Sequence, residues 1–287
     1  MKYDSVPILE IALNIQVNTD ETCSRMVQTV LEVLLFQRSQ IPFCYNVFKS
    51  IVRKISGHTR ESDQLTEWSN YRLTKQRATV QEAAETIELL FKQLSEAVQK
   101  SKAGLQFMIL FGSTVFTAKE AFLINVPEVN KHHYPQYHRH SMETILKQVA
   151  MKITVAEELH DKPKVTGPTN TFLLMGLNSD SSAQLLSEEH ENWQLINEYK
   201  LPVNCKQYVI NLSNQTGNNT RLHCCKEMEV FNDQLKDLGI AKQSRECLDL
   251  ESGAPERPEI QTSNVWLQIG NCVKGLKTEL IQGKPIW

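Results

Sequence analysis

LQFMILFGS, Leu105 to Ser113, is a short continuous apolar run closed at its ends by Gly104 and Gly112. A run of that length, apolar at every position from Phe107 to Phe111, reads as a central strand buried on both faces. It marks the point where the chain changes character. The segments before it follow a helical period, and those after it are mostly β-like.

Immediately upstream, Val80, Ala83, Ile87, Leu90, Leu94 and Ala97 recur at the three- and four-residue spacing of a buried helical stripe. Thr79 and Glu82 form a capping-box pattern at the start of this helix, and Lys100, Lys102 and Gly104 mark its end. Residues 55–77 are polar and read as a mobile connection. Further back, Tyr45 to Lys54 is a short amphipathic piece. A first helix runs from a cap at Asn18, with Glu21 three residues on, to about Gln40. Pro42 accounts for its stop, because the residue before a proline avoids helical geometry. Residues 8–17, ILEIALNIQV, alternate apolar and polar and read as a strand or extended arm.

Downstream, AFLINV (121–126) is a second strand. Ser141 caps a third helix, 142–159, with Met142, Ile145, Val149, Ile153 and Ala156 as its core stripe. TFLLMGL (171–177), KQYVINLS (206–213) and VWLQIGNCVKGL (265–276) complete the strands. Residues 214–262 are a polar insertion, with a short helix expected at 226–238. The layout is α+β: three helices packed on an antiparallel sheet, in a single domain over 1–287.

The bulk numbers bound the function. The chain has 287 residues, 41% hydrophobic and 22% charged, with a net charge of −2. That balance carries no electrostatic footprint for nucleic acid or an anionic membrane. No apolar run approaches the roughly 18 residues of a membrane span. The N-terminal stretch does not read as a signal peptide, since acids interrupt it and no small-residue cleavage site follows. Seven cysteines, odd in number and without C-x-x-C spacing, point to reduced thiols in cytosol or nucleus. The sequons at Asn211, Asn214 and Asn218 are then coincidental.

No motif supports catalysis. Neither phosphate-binding glycine pattern occurs, and FGST (111–114) lacks the flanking glycine of a nucleophile elbow. Glu157-Glu158 and Glu188-Glu189 are paired only in sequence. His132, His133, His138 and His140 supply imidazoles for a metal, yet their loop gives no fixed convergent spacing. His223 with Cys224-Cys225 is a weaker set. No cofactor is expected. Two surface features remain open. Leu146, Ala150 and Thr154, bordered by Lys147, widen the apolar face of the third helix, which therefore sits deeper in the core or docks on a partner. Gln37 and Arg38 at the end of the first helix are either solvated or read by something.

The run LEVLLFQRSQIPFCYNVFKSIVRK (31–54) resembles the corresponding segment of the comet protein family, which binds the spindle-checkpoint protein Mad-two. Four blocks follow in the family's order: FMILFGSTVFTAKEAFLINV (107–126), ILKQVAM (145–151), NWQLINEYKLP (192–202) and VWLQIGNCVKGLK (265–277). The resemblance implies a HORMA-like fold whose C-terminal segment wraps the core as a safety belt. It implies a non-catalytic adaptor that binds the closed conformer of Mad-two and presents it to a hexameric AAA+ ATPase, promoting anaphase. It also implies a setting in nucleus and cytoplasm, with spindle or kinetochore association. The alternatives are a HORMA clamp holding a partner's peptide under its own belt, or a metal-binding protein using the histidine loop. Carried over by residue, Gln37 occupies the family's interface glutamine and Arg38 its neighbour. The interface phenylalanine falls at Leu146 when Met151 is aligned, or at Lys147 with a one-residue shift, and Ala150 lies on the same helix. The family's Pro-Lys pair after the tryptophan is replaced by Gln194-Leu195-Ile196-Asn197, so no ATPase-contacting residue is assigned.

Overall fold

The computed structural model describes residues 6–15, 17–57, 67–101, 106–129, 139–160, 163–177, 193–214, 265–277, 280–281 and 284–285. The chain runs β1 (Ile8–Leu13), α1 (Asp20–Gln37), α2 (Tyr45–Gly57), α3 (Glu67–Lys100), β2 (Gln106–Gly112), β3 (Ala118–Asn125), α4 (Arg139–Val155) and α5 (Glu157–His160). It continues through β4 (Asn170–Leu177), β5 (Gln194–Asn197), β6 (Lys206–Asn214) and β7 (Val265–Lys274), then a two-strand pair, β8 (Leu280–Ile281) and β9 (Lys284–Pro285).

Seven strands make one sheet in the order β1-β6-β3-β2-β4-β7-β5. The expectation of an antiparallel sheet needs correction. β6 lies between β1 and β3 and runs parallel to both, with Val209 opposite Ile8 on one side and Leu123 on the other. The remaining pairs are antiparallel. The fold class, mixed α+β with helices against a sheet, stands.

β2 is buried from Phe107 to Gly112, as its unbroken apolar run requires. Phe107, Ile109 and Phe111 point into the main core with Leu31, Leu34, Ile87 and Val149 of the helices. Met108 and Leu110 join a smaller core on the opposite face with Leu174 and Trp266. That face is roofed by the segment before β6, where the Tyr199 hydroxyl donates to the carbonyl of Val115 at 2.8 Å.

Helix boundaries differ from expectation in several places, and one is that α4 begins at Arg139, so Ser141 lies inside the helix and does not cap it. α1 is capped by Thr19, whose hydroxyl accepts from the amide of Thr22, while Asn18 turns away and donates to the carbonyl of Pro127. α3 begins at Glu67, twelve residues before the expected start, so 67–77 is helix and only 58–66 falls outside the described residues. Thr79 does not cap. Its hydroxyl donates to the carbonyl of Lys75 one turn back, the usual recourse of a threonine inside a helix. The third helix breaks at Ala156, dividing α4 from α5. The insertion at 214–262 lies outside the described residues after Asn214.

Pro42 is not what stops α1. The helix ends at Gln37 because Ser39 takes φ 55°. Its amide bonds the carbonyl of Phe36, and the amide of Gln40 reaches that of Leu35. This is a Schellman closure with serine in the left-handed position that glycine favours. A side chain there costs about 1–2 kcal/mol. Ser39→Gly, keeping both hydrogen bonds, is therefore expected to stabilise the fold by about 0.5–1 kcal/mol in denaturant titration.

Candidate partner-binding site

The four polar residues at the end of α1 point in different directions, and most of them serve the fold. Arg38, expected beside Gln37 on a docking surface, is 2% exposed. Its Nε donates to Glu120 Oε2 at 2.6 Å and its Nη2 to the carbonyl of Leu159 at 2.7 Å. The guanidinium lies 5.1 Å from the ring of Phe122 and 5.6 Å from that of Tyr208, two rings that stack on each other. Glu120, fully buried on β3, also accepts from the amides of Lys164 and Val165. The pair thus joins α1, β3, α5 and the strap before β4. Arg38 is removed from the docking set for this reason: its donors are consumed inside the chain. A sequence signal existed, since Glu120 is an acid directly before the apolar run Ala121–Ile124 of β3.

Gln40 is fully buried as well. Its Oε1 accepts from the amide of Thr169 at 2.7 Å, and its Nε2 donates to the carbonyls of Arg38 and Gly167. Its own carbonyl accepts from the amide of Leu276 at 2.8 Å. The side chain therefore clasps the end of α1 to the approach to β4, while the backbone of the same residue holds the segment following β7. Removing the side chain strands the Thr169 amide, so Gln40→Ala is expected to cost about 2–3 kcal/mol in thermal or chemical unfolding.

Gln37 behaves differently. It is half-buried, and its Nε2 donates to the carbonyl of Ile153 at 3.3 Å, which fastens the last turn of α1 to α4. Its Oε1 is enclosed and accepts no hydrogen bond among the described residues. On α4, Ile145, Val149 and Ile153 face the core. Leu146 and Ala150 are half-buried on one shoulder of that stripe, and Leu146 packs against the core. Lys147 stands outward, 82% exposed, within 3.9 Å of Glu143.

Sequence reasoning passed over three apolar residues nearby. Met151 is 59% exposed, Val155 65% and Phe36 46%. Met151 and Val155 are one turn apart on the outward face of α4, past Lys147 from Leu146 and Ala150. Phe36 precedes Gln37. The signal was the four-residue spacing of two apolar residues off the core stripe.

Burial pushes the thiol of Cys205 up to about 11, so it is not a thiolate at neutral pH. The thiol of Cys23 is raised further, again chiefly by burial. No group of three metal-ligating side chains occurs among the described residues. His132, His133 and His138 lie outside them, as do the side chain of His140 and the Cys224-Cys225 pair. No described helix is long and apolar enough to cross a membrane.

Helices on one face of a mixed seven-strand sheet define an α+β domain consistent with a HORMA-like fold. The family model for p31comet, described as Mad1 and Cdc20-bound-Mad2 binding, matches residues 6–213. The chain belongs to the p31comet family. That family is one of binding adaptors of the spindle checkpoint, and its Mad2 is the Mad-two of the resemblance. No individual characterised protein matches the chain.

Proposed function

We propose that this chain is a non-catalytic adaptor that binds the closed conformer of Mad2 and presents it to a hexameric AAA+ ATPase. Checkpoint complexes then come apart and anaphase proceeds. The carrying observation is the hydrogen bond from Gln37 to the carbonyl of Ile153, which sets the end of α1 against the helix bearing Leu146, Lys147 and Ala150. Gln37, Leu146, Lys147 and Ala150 form the docking surface in this reading, and Met151, Val155 and Phe36 extend its apolar area.

The adaptor reading is favoured over a clamp by β7. This late strand is paired along β4 on one edge and β5 on the other, so the position beside β4 is filled by the chain itself. β5, which carries Gln194 to Asn197 in place of the family's Pro-Lys pair, is unpaired on one edge among the described residues and is a place for the ATPase to engage. The role places the protein in nucleus and cytoplasm, within reach of spindle and kinetochore.

A remodelling assay tests the adaptor half of the proposal. Closed Mad2, the ATPase and ATP are incubated with and without this chain, and open Mad2 is resolved by ion exchange. Open Mad2 is expected only when all components are present. Conversion that is equally fast without the chain, or absent with it, contradicts the reading.

A further inference from the structure

The first turns of α3 carry a flank that the sheet leaves uncovered. Trp68, Tyr71, Arg72, Lys75, Gln76 and Thr79 recur at three- and four-residue spacing and so share one side of the helix. They line a groove of about 440 Å³ whose other wall is Lys274, Gly275 and Lys277, at the end of β7 and just beyond. Trp68 is 68% and Tyr71 58% exposed, and their rings stack at 5.7 Å with 23° between planes. Two large rings held together in water form an apolar ridge of the kind found at contact surfaces.

The walls are fixed to each other. Gln76 Nε2 donates to the carbonyl of Lys277 at 2.9 Å, and the amide of Gly275 donates to the carbonyl of Thr169 at 2.8 Å. Gly275 packs so closely that a Cβ there would meet Gln40 Oε1 and the Thr169 backbone. A groove held this way needs little ordering when a ligand enters. Its charge is also one-sided. Arg72 and Lys75 on one wall face Lys274 and Lys277 on the other, and no carboxylate is among the described lining residues. Glu82 comes only to 4.0 Å of Lys274, with both side chains more than two-thirds exposed, so water screens the pair. The chain as a whole is slightly acidic. This is a local reversal of sign around an aromatic ridge.

We propose that the groove binds an acidic peptide segment of a partner protein. An apolar side chain of the peptide lies on the Trp68–Tyr71 ridge, and its carboxylates meet Lys75, Lys274 and Lys277. A single nucleic-acid strand is the competing polyanion. It stacks successive bases on separate aromatic platforms, whereas these two rings cover each other, and the chain lacks the basic field such ligands select. The groove is built from α3 and β7, not from the α1–α4 surface proposed for Mad2, and the two proposals fail separately.

Fluorescence anisotropy on the full chain tests it, with three labelled probes. They are the peptide Glu-Glu-Asp-Phe-Glu-Glu, the same peptide with its acids replaced by their amides, and oligothymidylate. Saturable binding of the acidic peptide is expected, weakening at least about tenfold with the amide peptide, with Trp68→Ala and with Lys75→Glu. The same binding should weaken as salt rises from about 50 to 300 mM. Capture of closed Mad2 should be unchanged in both variants. The proposal is overturned by no saturable binding, by equal binding of the amide peptide, by full retention in both variants, or by tighter binding of oligothymidylate at these residues.

Discussion

Arg38→Met is expected to destabilise the fold by about 3–5 kcal/mol, because Glu120 would be left as an uncompensated charge with no access to water. A domain of this size has about 5–15 kcal/mol in total, so the loss removes a large share of it. The melting temperature should drop by roughly 10 °C or more. The cause can be separated from lost packing. Glu120→Gln keeps an oxygen for the amides of Lys164 and Val165 while discarding the charge. The double variant Arg38→Met/Glu120→Gln should therefore be more stable than Arg38→Met alone, by about 1–2 kcal/mol, so the two changes should be non-additive. Strict additivity of the two changes would show that the buried charge is not what the arginine answers. An Arg38→Met protein that melts normally and has lost only its partner would restore the surface role withdrawn here.

The second large effect is expected at Ala150. This residue is half-buried on a shoulder of α4, and arginine has nearly the helix propensity of alanine. In the free chain the long side chain of Ala150→Arg can run outward with its charge in water, so the thermal transition should stay close to that of the parent. Against a docked helix the same side chain has to be buried or to push the partner away. Affinity for closed Mad2 is expected to fall about 100-fold, or about 2.7 kcal/mol. Calorimetric titration of both proteins measures it. Affinity within threefold of the parent would place the interface elsewhere.

The helices and most strands are legible in the sequence because a core stripe leaves a local period. Ile145, Val149 and Ile153 show it on α4, and Val80, Ala83 and Ile87 on α3. What failed has physical reasons. Residues 67–77 are polar and resemble a loop in composition, but no glycine or proline interrupts 58–103, so nothing prevents α3 from starting early. β5 has four residues and exposed ends, too short to show alternation. The parallel placement of β6 depends on pairings across some eighty to two hundred positions, which no local pattern encodes.

The site divides along the same line. Gln37, singled out in the sequence by its place in the polar stretch and by the family resemblance, donates to the Ile153 carbonyl of α4. Arg38 and Gln40 share that polar stretch and look alike in sequence. Only the tertiary structure reveals that Glu120, Leu159, Thr169 and Gly167 are waiting for them. A polar cluster at a helix end can be read by the chain itself, and here three of its hydrogen-bonding side chains are divided between the interior and the surface.

The most direct measurement is capture of Mad2 by conformer. The immobilised chain is offered purified Mad2 locked closed and Mad2 locked open at equal concentration, with the Ala150→Arg variant beside it. The account predicts retention of the closed form, little of the open form, and little of either on the variant. Equal retention of both conformers, or of neither, contradicts it.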